Sequence, residues 1–491
     1  MESNGARRAR KRPILRVVLV LFALVAAWFS WEVYRALTAK PFIEIDYAAK
    51  MEELILSYHE DSSAPNGWPV FEEAMEIYEN VVEVYDRNDD GPNGNLYLLI
   101  DTVYSSYSWT DTEDVTLEMV RDNAIDALAA MGQAGLYDKL DELLDVQTAL
   151  RPTPAGLLMG LSDWSASRSI ARACKARMFL AQQSGDSIEF VRAYKHCLAV
   201  AKVLGMQGEV IDGLVSVAIE AVAFDQLRTS LIQNQFDEAT LKELAASMDR
   251  QLMDDIVKLN LEVDRIRLLD CLQASSTKDG RLLVTEATAY MAAQAGFGPP
   301  PPSLGEYQLS NLLSIALPRK DDIEDKIKEY FDGSINRMNT PFAQRTSMTF
   351  DPEVFVEELS IGYFLFKPMF GPPMLVDIWD QQVMLRRGTR LMIAIEIHKI
   401  RHGAYPTTLE NLDRTILGEP PRDPYGTGTF GYRLMAEGED EHNRPYLLYS
   451  VGRDMTDNGG ATPKHGPHGS IAPDGTPGYD YELNHVSEED E

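Results

Sequence analysis

Residues Val17–Trp31 read VVLVLFALVAAWFSW, with Ser30 the only polar side chain, and Ile14, Leu15, Val33 and Tyr34 extend the run. A helix of about 20 such residues spans a hydrocarbon core. The spacing therefore predicts one transmembrane signal-anchor helix over residues 14–35. After a short stalk, Ala36 to Asp46, apolar positions recur every three or four residues: Met51, Leu54, Ile55 and Tyr58, then Phe71, Ala74, Met75, Tyr78, Val81 and Val82. That period is helical. Asn66-Gly67-Trp68-Pro69 interrupts it, with Pro69 placed to open the second helix.

Residues 115–150 and 163–275 continue the pattern. A hairpin is expected across the Gly185-Asp186 turn, with Phe190 to Ala201 on its return arm and a stop near Gly205. A second pair is expected from Val210 to Ile232 and from Ala239 to Leu252, turning at Asn234 to Asp237. Paired helices joined by short polar turns suggest a helical-hairpin array over residues 36–297. Tetratricopeptide-like stacking is one such array, although no clear repeat of about 34 residues is present. Residues 298–375 open with Gly298-Pro299-Pro300-Pro301-Pro302 and read as a Pro-rich linker with further helices, broken around Asn339 to Pro352. A long helix from about Val376 to His402 should end on Gly403. Beyond it, short strand-like runs at Phe430 to Met435 and Tyr446 to Val451 predict a small α+β module over residues 376–491, with an acidic, Gly-rich tail. The expected fold class is mainly α.

Charge decides the topology. Arg7, Arg8, Arg10, Lys11, Arg12 and Arg16 against Glu2 give residues 1–16 a net charge of +5, within a chain of net charge −30. The positive-inside rule places a basic tail, residues 1–13, in the cytoplasm and the rest outside, on a single-pass inner (cytoplasmic) membrane protein. Arg16 can snorkel, and Trp28, Trp31 and Tyr34 suit an interfacial belt. The competing reading is a cleaved signal peptide with Val25-Ala26-Ala27 as its cleavage site. No cysteine follows the apolar run, which excludes a lipoprotein. The remaining charge, about −35 outside the tail, repels phosphate backbones, so nucleic acid is not an expected partner. Three cysteines, Cys174, Cys197 and Cys271, make no disulfide framework and read as buried thiols.

The segment from Leu391 to about Asn484 carries an ordered set of motifs. They are His402-Gly403-Ala404-Tyr405-Pro406-Thr407-Thr408-Leu409-Glu410-Asn411-Leu412, Asp423-Pro424-Tyr425-Gly426, Phe430-Gly431-Tyr432-Arg433, Tyr449-Ser450-Val451-Gly452-Arg453-Asp454 and Asp457-Asn458-Gly459-Gly460. In this order they resemble the C-terminal domain of type II secretion pseudopilins of the major, G-type kind, and a module at the ends of many planctomycete membrane proteins. The resemblance covers about a fifth of the chain. It implies a long helix packed on a small antiparallel sheet, and calcium in a loop after the last strand. Carried over by position, Asp454 and Asp480 would be ligands, with Asp457 and backbone carbonyls near Ser450 completing the oxygen shell. The chain departs from the family in its basic tail, in lacking a glutamate early in the apolar helix, in its large helical insertion and in Tyr479-Asp480-Tyr481 near the end. It is not expected to build a pilus. Independently, a hard cation wants several oxygens on a Gly-rich loop, which Asp454, Asp457, Asn458, Asp474 and Asp480 offer; a solvated acidic loop is the alternative.

Other candidate chemistry is weaker. Asp86, Asn88, Asp90 and Gly91 begin a calcium loop, but Tyr97 stands where its bidentate glutamate belongs. Gly426, Gly428 and Gly431 satisfy G-x-G-x-x-G without the following helix that a dinucleotide needs. His398 and His402 sit four apart on a helix, and His465, His468 and His485 are scattered through the tail. The chain has no G-x-S-x-G elbow, P-loop, Cys-His signature or kinase set. The first expectation is therefore a structural or interaction protein, a membrane-anchored extracytoplasmic scaffold for another envelope protein. The alternative is a cell-envelope hydrolase with a site of scattered acidic residues.

Overall fold

The computed structural model describes residues 5–86, 100–101, 103, 116–152, 162–233, 236–248, 252–284, 317–363, 367, 370, 375–414, 418, 420–436, 438–439, 444–461 and 480–485. Helix dominates. Helix α1 runs Gly5–Thr38 and contains one stretch, Val17–Arg35, long and apolar enough to cross a membrane. Its side chains from Val17 to Trp31 lie exposed, covered by none of the other described residues.

Helix α2 (Tyr47–Ser57) starts where Asp46 accepts a hydrogen bond from the Ala49 amide at 3.0 Å, a side-chain cap for an otherwise unpaired N–H. Its buried Met51 and Ile55 pack on Leu259 and Val263. Helix α3 (Trp68–Asp86) buries Trp68, Phe71, Ala74, Met75, Tyr78 and Val81, the stripe expected from the spacing. Pro69 lies in its first turn, and Asn66 holds the approach by accepting from Trp68 N (3.1 Å) and Leu150 N (2.8 Å). Helices α4 (Leu117–Gln133) and α5 (Leu136–Leu143) follow.

The expected hairpin comprises α6 (Ser162–Ser184) and α7 (Ser187–Gly205). Gly185 takes a left-handed φ of 71° in the turn, and Asp186 caps α7 through Glu189 N at 3.0 Å. Helix α7 is buried on almost every side because α6 and α8 (Val210–Ile232) flank it and α5 and α9 (Glu238–Ser247) also touch it. Within it, His196 is fully buried. Arg177 Nη1 donates to its Nδ1 (3.0 Å), so its Nε2–H donates to Asp141 (2.7 Å). Part of the expected 234–237 turn, residues 234–235, lies outside the described residues.

Helix α10 (Leu252–Ala274) packs against α2 and α11 (Lys320–Met338), and short α12 (Phe342–Arg345) and α13 (Pro352–Glu358) occupy the expected break and its far side. Helix α14 (Leu375–His402) crosses α8, and Gly403 closes it with φ 74° and an amide donating to Lys399 O. Among the described residues that follow are three antiparallel strands, β1 (Gly431–Leu434), β2 (Tyr446–Ser450) and β3 (Tyr481–Glu482), in that spatial order. Gly431 pairs with Tyr449, and any side chain there would strike the Tyr449 ring. One cluster of buried side chains runs from α3 through α9 into α14 and the sheet, so the helical body and the C-terminal segment share a core. The three cysteines are buried and form no disulfide.

Candidate functional sites

The C-terminal motifs interlock. Asp423, buried in the turn before β1, accepts from Tyr425 N (3.0 Å) and Ser450 Oγ (2.8 Å) through Oδ1 and from Val451 N (2.9 Å) through Oδ2. Burial still pushes this carboxyl above its ordinary value, against those donors. Ser450 is thereby turned to Asp423 and paired in register with Tyr481.

The three expected metal ligands converge on the loop after β2. Asp454 Oδ1 accepts from Thr456 N (2.9 Å). Asp457 Oδ1 accepts from Gly459 N and from the Tyr449 hydroxyl, both at 2.9 Å. Asp480 reaches back from the far strand, and its Oδ2 accepts from Asn458 N (3.0 Å) and Gly460 N (2.7 Å). The loop bends through left-handed Gly452, Met455, Gly459 and Gly460; Met455 is the one non-glycine residue with positive φ among the described residues. That conformation is uncommon for a residue with a side chain. Asp480 is 5% exposed, and its second oxygen, Oδ1, is buried with no hydrogen-bond partner among the described residues. Desolvation raises its pKa, two loop amides oppose that, and the charges of Asp457 and Asp454 raise it further. Among the described residues no group of three or more His, Cys, Asp and Glu side chains is arranged to hold a metal ion. The loop is closed by carboxylates on backbone N–H groups.

The remaining sequence candidates are not assembled. His398 and His402 stack, ring centroids 4.3 Å apart, near the end of α14. Gly431 leads into a strand, so the glycine triplet has no helix N-terminus behind it. Asn88, Asp90, Gly91, Asp474, His465 and His468 lie outside the described residues.

A buried polar junction at the start of α8 escaped the sequence reading. Asp212, fully buried, accepts from Trp164 Nε1 (2.6 Å) and Arg151 Nη2 (3.1 Å), and the Arg151 guanidinium lies over the Trp68 ring at 4.6 Å. Glu209 pairs with Arg267, Asn260 Nδ2 donates to Glu209 O (2.8 Å), and Asp264 accepts from the first amide of α8. Asn260 Oδ1 packs so closely on Gly213 that a Cβ there would lie 2.1 Å away. Burial pushes Asp212 up to about 6, and pushes Glu209 and Asp264 upward, against the pull of Arg151 and Arg267. The one sequence signal was an acid inside the apolar run Val210-Ile211-Asp212-Gly213-Leu214-Val215. Its partners come from residues 151, 164 and 260–267, which no local window connects. The junction joins α6, α8 and α10, setting three carboxylates, Asp212, Glu209 and Asp264, against Arg151 and Arg267.

No family model, curated protein or solved structure matches this chain.

Proposed function

We propose that the chain is a membrane-tethered, extracytoplasmic scaffold. Its N-terminus faces the cytoplasm, its helical body engages another envelope protein, and calcium stabilises its pseudopilin-like C-terminal module. The observation that carries the reading is how the end of α1 is built into the body. Glu32 pairs with Arg281, and Arg35 Nη2 donates to Asp279 at 2.5 Å. The following stalk is held by Phe42 N donating to Ser276 O (2.9 Å). Gln273 adds to this, accepting from Glu44 N and Ile45 N and donating to Ile45 O. These contacts set the orientation of the body on an anchored α1. Because residues 32–45 follow the Val25-Ala26-Ala27 site, a cleaved chain would keep them too, and retention of residues 1–27 in the mature protein is what separates the two readings. Reactive-tag mapping of residues 40–491 in whole cells tests the topology; labelling of residue 40 from the cytoplasmic side overturns it.

The calcium part rests on the loop. Its donors are all oxygens, and the buried Asp480 Oδ1, which has no partner among the described residues, is the kind of atom a hard cation satisfies. Asp454, Asp457 and Asp480 would hold the ion, which would supply positive charge among three carboxylates. A calcium titration of the melting temperature should raise it by several degrees, and Asp454→Ala should weaken the response. An unmoved melting temperature in the intact protein removes calcium from the reading.

The hydrolase alternative would draw on Asp212 and its raised pKa. Its full burial and the partners on its Oδ1 favour the structural role instead.

A further inference from the structure

A small hairpin fixes where the body meets the bilayer. Ser276 and Leu282 bridge, Thr277 N donates to Arg281 O (2.9 Å), and Gly280 turns the tip with φ 79°. The tip is Lys278-Asp279-Gly280. Asp279 binds Arg35 and Arg281 binds Glu32, so the hairpin lies alongside the last turn of the apolar stretch. Residues 32 and 35 are separated by only about 4–5 Å along a helix axis. The 19 residues of Val17–Arg35 make a rod of about 28 Å, close to one hydrocarbon thickness. Trp31 and Tyr34, stacked at 5.8 Å on the exposed side, mark the interfacial level. The hairpin tip therefore sits at headgroup depth.

We propose that this hairpin is a headgroup-contact element, which holds exposed Lys278 and Arg319, with Lys40 and Lys320, against anionic phospholipid at the outer surface of the bilayer. The proposal rests on the anchor reading above. Lys278 is exposed with its Nζ 5.3 Å from the Phe42 ring centroid, and Arg319 is exposed while donating to Asp279 O at 3.0 Å. Lys320 N donates to Gly280 O (2.9 Å), and Lys40 follows α1 by two residues. The acids of the hairpin and its neighbours are engaged within the chain: Asp279, itself exposed, by Arg35, Arg281 and Thr277; Glu32 by Arg281; and Asp322, also exposed, by Arg319 N. Glu44, Asp46 and Asp321 remain exposed nearby in the chain without an ion pair among the described residues, against four cations. In a chain so acidic elsewhere, cations gathered at the membrane junction offer phosphate a place to pair, and juxtamembrane cations attract anionic lipid.

The test uses the full chain in nanodiscs of phosphatidylcholine containing a quarter phosphatidylglycerol, with spin-labelled forms of each lipid as probes. Wild type should immobilise the labelled phosphatidylglycerol over phosphatidylcholine by roughly fivefold, falling as salt rises. Lys278→Glu/Arg319→Glu should bring the ratio near unity without lowering the melting temperature. If that variant melts early, Lys278→Gln alone should lower the ratio about twofold. Equal immobilisation in the wild type, or an unchanged ratio in a stable variant, overturns the proposal. Release of the wild-type protein from membranes by alkaline carbonate overturns the anchor reading itself, and the proposal with it.

Discussion

Arg386 Nη2 lies 3.1 and 3.0 Å from the two carboxylate oxygens of Glu220, joining α14 to α8 with both side chains buried. Gln382, one turn earlier on α14, also donates to Glu220. Removing one partner leaves a charge with no water to stabilise it. Arg386→Met should therefore cost about 3–5 kcal/mol in unfolding free energy. The double variant Glu220→Met/Arg386→Met should recover most of that loss, because two apolar side chains of similar volume fill the same space. Denaturant titration of the three proteins decides it, and a double variant weaker than the single one would show that the pair is irreplaceable.

Asp212 implies stability that fades toward neutral pH. Its folded pKa, about 6, stands above the ordinary 3.8, so the folded chain holds this proton more tightly than the unfolded one. The contribution is then fully present below about pH 4 and lost as pH rises through about 6. The span is worth at most about 3 kcal/mol. Asp212→Asn keeps an oxygen for Trp164 Nε1 and cannot titrate, so its stability should vary less between pH 4 and 7 than that of the wild type. Parallel curves for the two proteins would remove Asp212 as the source.

His196 has the opposite sign. Burial and the Arg177 charge lower its pKa to about 4 from 6.5, although Asp141 opposes them. A depressed base contributes stability above the unfolded pKa of 6.5 and loses it as pH falls toward 4. His196→Gln, able to accept from Arg177 and donate to Asp141, should flatten the acid side of the stability curve by up to about 3 kcal/mol. Hydrogen–deuterium exchange across α7 at pH 5 and 7 reads the same effect locally, and equal protection at both values would contradict it.

The helices were legible because each announces itself locally. The α3 stripe from Trp68 to Val81, the Asp186 cap and the Gly403 stop are written within a few residues of where they act. The same holds for β1 and β2, whose ends differ from expectation by at most one residue. Strand β3 was missed because two residues, Tyr481 and Glu482, carry no period; β2 creates it by pairing. The polar junction at Asp212 and the Glu32–Arg281 seat of α1 were missed for a related reason: each joins residues far apart in the chain, and a charge pattern does not state its partner. The acidic loop lies between these cases. Its residues were named in advance, but that Asp480 would return to bind Asn458 N and Gly460 N follows only from the sheet.

Asp423 offers a sharper test of the C-terminal segment than its loop. One carboxylate satisfies Tyr425 N, Val451 N and Ser450 Oγ, and so ties the turn before β1 to the end of β2. Asp423→Ala leaves those donors without their acceptor in a buried site, at about 1–3 kcal/mol for each unsatisfied group. Asp423→Asn is nearly as harmful. Its amide oxygen can serve Tyr425 N and Ser450 Oγ, but its NH2 then faces the Val451 N–H, donor against donor. Asp423→Glu keeps the charge but adds a methylene, which displaces the carboxylate from the three donors it now meets. All three variants should therefore lower the melting temperature, with alanine the most severe. Because the sheet and α14 share one cluster of buried side chains with the helical body, the loss should appear in a single transition of the whole body beyond α1. A separate early transition confined to the last hundred residues would instead mark the segment as an independently folding unit.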